Sequence, residues 1–588
     1  MALPPGLLFL LPKIPQLLVP PVTVCLLAYL ARVYFSYAVP AWALAVACIL
    51  SLPAAFTILV QWYDHKIYRE ATARGSKLPC AVKCKYLGGV DILTKYTKEW
   101  AQEYGWTYNF RLLFRNTIFT AEPEYIKVCH IDCLIIVLSQ RILATDFQGF
   151  EKGSLWHNQL KSLLGSGVFN VDGDLWKFHR AMTRPFFSRD RISHFDVFDR
   201  HAEEALNHAK ARVSEGVPFD WQDLVSRFTL DSATDFLFGK DVRSLSAPLP
   251  YPPTSPQAQH DTSASHPANR FARAFHGALI ASAKRSRYTT SWPLWEFWKS
   301  KVDEHIEVLE EFIQPLLHDA LARKAKSPEV KVEVAVEDNA TLLEHLVKLT
   351  DDPQIIRDET VNILLASRDT TAITLTMAGY MLAEHPDILQ RLRKEILGIV
   401  GTRRPTYDDI RDMKFLRAFI NEVLRMYPPI PFNVRFSTAP TVWPSPEGDY
   451  YFPGGTRCLY SVFCMQRRKD LWGPDADRFD PDRFLDERLQ KYLSPNPFIF
   501  LPFNAGPRIC PGQQFAYNEV SFMLIRLLQH VSKIELHPDA NPESVAPPGW
   551  DVSSLSDGQD KVIVKSHLTI YVAGGLWVKM QFEDPEGH

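Results

Sequence analysis

Phe503-Asn504-Ala505-Gly506-Pro507-Arg508-Ile509-Cys510-Pro511-Gly512 sets one cysteine just before a helix-forming run and two residues after an arginine, with glycines on both sides. A protein that holds a haem iron through a thiolate needs this arrangement. Gly506 permits a tight backbone turn close to a flat macrocycle, and Arg508 can neutralise a negatively charged haem propionate. Cys510 is then the axial ligand. The run from Gln513 (QQFAYNEVSFMLIRLL) reads as an amphipathic helix, so the sulfur lies where unpaired amides and the positive dipole end favour a thiolate. Such a ligand donates electron density to iron and favours cleavage of the O–O bond of bound oxygen. Taken alone, a cysteine is more often a buried, inert thiol. An inert thiol, however, requires none of the glycines, the arginine or Phe503 that surround this one.

Composition agrees with a buried cofactor. The 588 residues carry a formal charge of −2, which predicts no nucleic acid or other polyanion partner. With 46% hydrophobic and 12% aromatic residues the chain is not a disordered one, and its large apolar interior suits a cofactor and an apolar substrate. Nine scattered cysteines leave at least one unpaired, so a reducing compartment is the simpler assumption. Cys80, Cys84, Cys129, His130 and Cys133 suggest a zinc site, but the CxxxC spacing is looser than the common knuckle and they are read as ordinary thiols.

The N-terminus carries a membrane signal. No charge occurs between Lys13 and Arg32, or from Val33 to Tyr63, and about 20 apolar residues suffice to cross a bilayer. Residues 1–65 are therefore read as a transmembrane anchor. The surer span is 38–60; the first stretch contains Pro20 and Pro21 and is either a second span or a re-entrant or interfacial segment. Lys66, Arg69, Arg74, Lys77, Lys83 and Lys85 follow, and by the positive-inside rule they face the cytosol. Residues 66–588 then form a cytosolic domain.

That domain reads as mainly α with a small β region. Helical periodicity recurs at 175–187, 219–238, 269–283, 302–324, 342–349, 355–382, 387–400, 413–426 and 513–530, and a strand-like run occurs near Tyr108 to Phe119. The Pro- and Ser-rich segment 244–266 is expected to be a solvated loop interrupting the domain. In the apolar helix through Val361 to Met377 sits Ala366-Ser367-Arg368-Asp369-Thr370-Thr371. Its polar groups read either as a solvent-facing turn or as a proton relay opposite the thiolate, with Thr370 donating to bound oxygen and Asp369 replenishing the proton. Glu422 and Arg425 stand three apart on one helix face, and Arg483 in Phe479-Asp480-Pro481-Asp482-Arg483-Phe484 can complete a Glu-Arg-Arg network. Trp176 and Arg180, at i and i+4, can both reach an anionic group. An extended stretch supplies Arg435.

Together these motifs resemble the cytochrome P450 superfamily of haem-thiolate monooxygenases, from about residue 80 to the C-terminus. Phe503, Gly506, Arg508, Cys510 and Gly512 meet FxxGxRxCxG; Glu422 and Arg425 meet ExxR; Pro481 to Phe484 match the PERF-like segment; and Trp176 and Arg180 meet WxxxR. Ala366, Asp369, Thr370 and Thr371 meet the oxygen-activation motif, with Ser367 in place of its usual glycine. The resemblance implies the cytochrome P450 fold and haem b held by Cys510. It also implies propionates clamped by Trp176, Arg180, Arg435 and Arg508, with Glu422, Arg425 and Arg483 in a structural role. It further implies O2, electrons from NADPH through NADPH-cytochrome P450 reductase with cytochrome b5 as an accessory donor, and attachment to the endoplasmic reticulum. Lys177 and Arg184 lie where the family meets its reductase. Segments 228–239, 460–470 and 472–477 resemble the fungal alkane and fatty-acid hydroxylase branch, which implies a long apolar substrate. The rival readings are oxidation of terpenoids or polycyclic aromatics, a reductase-independent hydroperoxide isomerase or dehydratase, and a non-catalytic haem-binding protein.

Overall fold

In a computed structural model of the protein, the described residues are 3–81, 95–112, 114–126, 147–187, 195–260, 263, 266–326, 341–446, 448–545 and 561–583. The fold is organised around one helix, Pro353–Glu384. It starts cleanly because the Asp352 carboxylate accepts from Gln354 N at 2.9 Å, and because Pro353, at the first position, lacks an N–H that would have gone unpaired. It stops at His385, since the proline that follows disfavours helical backbone. Along 361–382 every residue is buried except Ala366, Ser367 and Thr370. Helix Trp221–Phe238 packs against it so closely that the Trp221 indole donates to Leu375 O at 2.9 Å. A Cβ on Gly379 would come within 2.4 Å of that nitrogen, so only glycine allows the approach. Helix Gln513–His530 crosses the same region, and its residues 515 and 517–525 are buried.

Among the described residues the strands are β1 (Thr107–Leu112), β2 (Arg115–Thr120), β3 (Phe150–Glu151), β4 (Phe219–Asp220), β5 (Phe432–Ser437), β6 (Thr441–Trp443), β7 (Tyr450–Phe452), β8 (Arg457–Ser461), β9 (Val531–Leu536), β10 (Val564–Ser566), β11 (Ile570–Val572) and β12 (Trp577–Phe582). The main sheet has the order β1-β2-β8-β5-β3, antiparallel except for β2 against β8. The run expected as one strand near Tyr108–Phe119 is thus a hairpin, with Thr107 opposite Thr120 and Leu112 opposite Arg115. Phe219 and Asp220, expected to be helical, instead form β4 against Trp577 and Val578, and the Asp220 side chain caps the helix that follows.

The N-terminal apolar stretches form two helices, Ile14–Phe35 and Ala41–Ala73, long and apolar enough to cross a membrane. Pro20 and Pro21 lie inside the first without ending it. The second helix continues beyond the expected limit of 60 and docks on the body, where Ile67 and Ala71 pack on Tyr451, whose hydroxyl donates to Glu70 at 2.6 Å.

The first residues of segment 244–266 depart from expectation, whereas Pro253, Thr254, Pro256, Gln257 and Gln259 are exposed. Ser244, Leu245, Ala247 and Leu249 are buried, because the Asp231 carboxylate accepts from Ser244 N, Ser244 Oγ and Leu245 N, each at 2.8 Å. Arg227 holds the carbonyls of Ser244 and Ala247 from the other side. Of the five residues weighed as a zinc site, Cys84, Cys129, His130 and Cys133 lie outside the described residues. Cys80 is exposed.

Candidate active site

The cysteine loop is shaped by two left-handed residues, Asn504 at φ 63° and Gly506 at φ 71°, followed by a tight turn over Gly506–Arg508. Cys510 N donates to Phe503 O at 3.0 Å, which closes the loop immediately before helix Gln513–His530. Cys510 is exposed, but into an internal cavity of about 1160 Å³. Burial pushes its thiol up, while the Gly512 N–H and the Arg180 charge act in the opposite direction. Phe503 lines the cavity and packs on Tyr517 with ring centroids 5.2 Å apart; Gly506 does not line it, and serves the turn.

Another part of the lining comes from the central helix. Ala366, Ser367 and Thr370, the half-exposed residues of 361–382, all line the cavity, so it is the cavity that exposes them. Thr370 Oγ1 donates to Ala366 O at 2.7 Å, and Ser367 Oγ to Ile363 O at 2.9 Å, so each hydroxyl is satisfied within its own helix. The helix runs unbroken through Ser367. Asp369 does not line the cavity: it is buried, held by Arg368 Nη1 at 2.5 Å, and its Oδ2 has no hydrogen-bond partner. His567, in the β10–β11 turn, does reach the cavity; burial pushes its imidazole down to about 4, with Asp369 acting against that shift.

The lining is strongly cationic. Of its described residues eight are Lys or Arg and one, Glu103, is acidic. Four of these cations belong to the cysteine side: Lys152, Arg180, Arg435 and Arg508. Arg508 stacks over the Trp176 ring at 4.5 Å and donates to Asp172 at 2.7 Å and Val171 O at 3.0 Å. Arg180 donates to Ile509 O at 2.6 Å. Asp172 is already occupied by Lys152 N, Gly153 N and Arg508, so it balances little of the remaining charge. Burial, with the Arg435 and Arg508 charges, pushes Lys152 well below its ordinary value. Burial and Arg435 likewise bring Arg508 down to about 10. Buried cations in this excess call for an anion. A thiol on one wall beside cations sufficient for two carboxylates is a donor set that fits haem.

Behind the loop, Arg425 forks onto Glu422 at 2.7 and 2.8 Å, both fully buried, and donates to the carbonyls of Gln466, Ala476 and Arg478. Arg483 joins as an ion pair at 3.6 Å from Glu422, its direct bonds going to Asp475 and Trp472 O. None of the three lines the cavity. Gln466 carries the connection forward: its Nε2 donates to Leu424 O and Arg425 O, and its Oε1 accepts Leu501 N just ahead of the cysteine loop.

The family description Cytochrome P450 matches residues 74–555. The chain belongs to the cytochrome P450 family. Among its curated relatives are a cytochrome P450 monooxygenase of Talaromyces variabilis, 34% identical over 74% of this chain and 77% of that protein; cytochrome P450 52E2 of Candida apicola, 34% identical over 81% and 90%; and cytochrome P450 52E1 of the same yeast, 36% identical over 72% and 77%. As a cytochrome P450 the protein is an oxygen-incorporating oxidoreductase, a monooxygenase with haem held by a cysteine thiolate. Membership also brings O2, a redox partner and a hydrophobic substrate. Lys152, Asp172 and His567 are site residues that no sequence motif marked, and Glu519 is buried just behind the lining, beside Thr371. Burial pushes the Glu519 carboxyl up to about 8, with the Thr371 hydroxyl opposing it.

Proposed function

We propose that Cys510 is the axial thiolate of a haem b and that the enzyme hydroxylates a long apolar chain, using electrons from NADPH passed on by a membrane flavoprotein reductase. The observation that carries this reading is the presence of Cys510 and Thr370 in the lining of one cavity, together with the cation cluster around the cysteine loop. When bound, the haem supplies O2 activation, which a thiolate ligand biases towards O–O cleavage. Arg508, Arg435 and Arg180, with the Trp176 indole, would hold its two carboxylates, and Lys152 would add positive charge to the same cluster. Glu422, Arg425 and Arg483 hold the loop rather than touch the reacting atoms. Thr370 swings its hydroxyl away from Ala366 O to hand over a proton, and Asp369 restores that proton through its unpartnered Oδ2. The apolar remainder of the lining excludes water and receives the chain.

The two N-terminal helices support attachment to the endoplasmic reticulum membrane, with the catalytic body on the cytosolic side. Lys177 and Arg184 are exposed and suit an acidic reductase face, although Lys177 is paired with Asp174 at 2.7 Å. A long-chain substrate is supported by the resemblance of segments 228–239, 460–470 and 472–477 to the fungal alkane and fatty-acid hydroxylase branch and by the size of the cavity. Product analysis after feeding microsomes fatty acids, alkanes, terpenoids and polycyclic aromatics tests it. Hydroxylation at the chain terminus is the expected result, and oxidation of rigid ring systems alone would overturn the substrate reading.

A further inference from the structure

Of the eight cations in the cavity lining, Lys152, Arg180, Arg435 and Arg508 cluster at the cysteine loop, whereas Arg111, Lys284, Arg287 and Arg457 lie outside that cluster. Arg435 and Arg457 are close in the sheet, but Arg435 is paired with Cys458 and Arg457 with Phe436, so strand alternation turns their side chains to opposite faces. The cluster interacts mutually: Lys152 and Arg508 both feel Arg435, and Arg508 feels Arg180. Arg457 stands apart, since burial alone acts on it and brings it down to about 10. Its guanidinium meets Ser286 Oγ at 3.2 Å and Ser286 O at 3.5 Å, and among the described residues no carboxylate lies within 4 Å.

Arg457 also lines a second recess of about 310 Å³, which shares Phe110, Thr117, Thr289 and Arg457 with the large cavity. That recess holds Arg115 and no acidic residue among its described lining. Its outer edge is Tyr63 of the second anchor helix and Phe114, whose rings meet edge-on at 5.6 Å. A cation with no carboxylate partner among the described residues therefore lines both the substrate cavity and a recess that Tyr63 of the second anchor helix also lines.

Building on the long-chain reading above, we propose that Arg457, assisted by Arg115, binds the carboxylate of a long-chain acid substrate and so directs the opposite end of the chain towards Thr370 and Cys510. Ser286 orients the guanidinium, and the apolar part of the cavity lining takes the chain. The preferred substrate class is then an anionic amphiphile rather than a neutral hydrocarbon. A phospholipid headgroup offers related anionic chemistry, and the test separates the two sources.

The haem-loaded full-length protein is placed in nanodiscs of zwitterionic lipid and titrated with radiolabelled hexadecanoic acid and with its methyl ester. A charge-assisted contact of this kind predicts that Arg457→Met raises Kd for the acid by about 10-fold to 100-fold. The ester should change by less than about two-fold on the same scale, and Arg457→Lys should recover part of the loss. Arg115→Met, at an exposed position, should give a smaller loss in the same direction. Equal losses for acid and ester, or no loss for either, would overturn the proposal, as would displacement of the acid by anionic phospholipid in the disc. Tight ester binding indifferent to both arginines removes the carboxylate site and leaves the long-chain reading standing. Failure of the wild-type protein to bind either ligand removes both.

Discussion

Arg425→Met should destabilise the protein severely, and Glu422→Gln in the same chain should restore much of the loss. Wild-type Arg425 satisfies Glu422 with two bonds and three carbonyls with one bond each, all in the interior. Methionine fills a similar volume but strands the carboxylate, leaving it Asp480 N at 2.9 Å and the Arg483 guanidinium at 3.6 Å. Breaking a buried pair in this way costs about 3–5 kcal/mol. Gln466, which accepts Leu501 N, also loses its fixed neighbour, so the damage should reach the cysteine loop and weaken haem retention. With Glu422→Gln added, no charge remains stranded, and recovery of about 2 kcal/mol is expected. Urea unfolding of the purified protein, followed by tryptophan fluorescence and by the haem Soret absorbance, measures both quantities. A single mutant within about 1 kcal/mol of wild type, or a double mutant no better than the single, would refute the assignment of these residues to structural support.

Glu519 gives a pH signature. Its folded value of about 8 lies above the ordinary 4.5, so the folded state binds this proton more tightly and stability falls as pH rises through that window. Glu519→Gln should flatten the decline, with a gain on the order of 3–4 kcal/mol at pH 8 and little change at pH 4.5; thermal melts across the range test this, and an unchanged slope contradicts it. Gly379→Ala places a methyl group against the Trp221 indole and should cost about 1–3 kcal/mol, recovered in part by Trp221→Phe. Thr370→Ala should raise peroxide release per NADPH consumed in the presence of reductase, and fully coupled turnover would remove Thr370 from proton delivery.

The signals that could be read in the sequence were local ones. The cysteine loop, the Glu422–Arg425 spacing and the apolar central helix are each written within a few consecutive residues, and each lies where it was expected. What escaped is tertiary. Asp172 matters because it meets Arg508, 336 positions away, and His567 reaches the wall from a C-terminal turn. The helix Asp196–Ser214 was missed because only Phe198 and Leu206 of its buried stripe are large and apolar, the rest being Ala202, Ala205, Ala209, His201 and Arg212, with little contrast to its polar face. Segment 244–266 looked solvated by composition, yet the buried Asp231 and Arg227, 13 and 17 positions before Ser244, pull its first residues inward. Asp369 followed its motif into the helix but turned to Arg368, a choice between rotamers that spacing does not determine.

The account stands or falls on Cys510 as the iron ligand. The dithionite-reduced protein under carbon monoxide should show the strongly red-shifted Soret band of thiolate-ligated haem, and Cys510→His should abolish that band. A wild-type Soret band typical of histidine ligation would contradict the central claim.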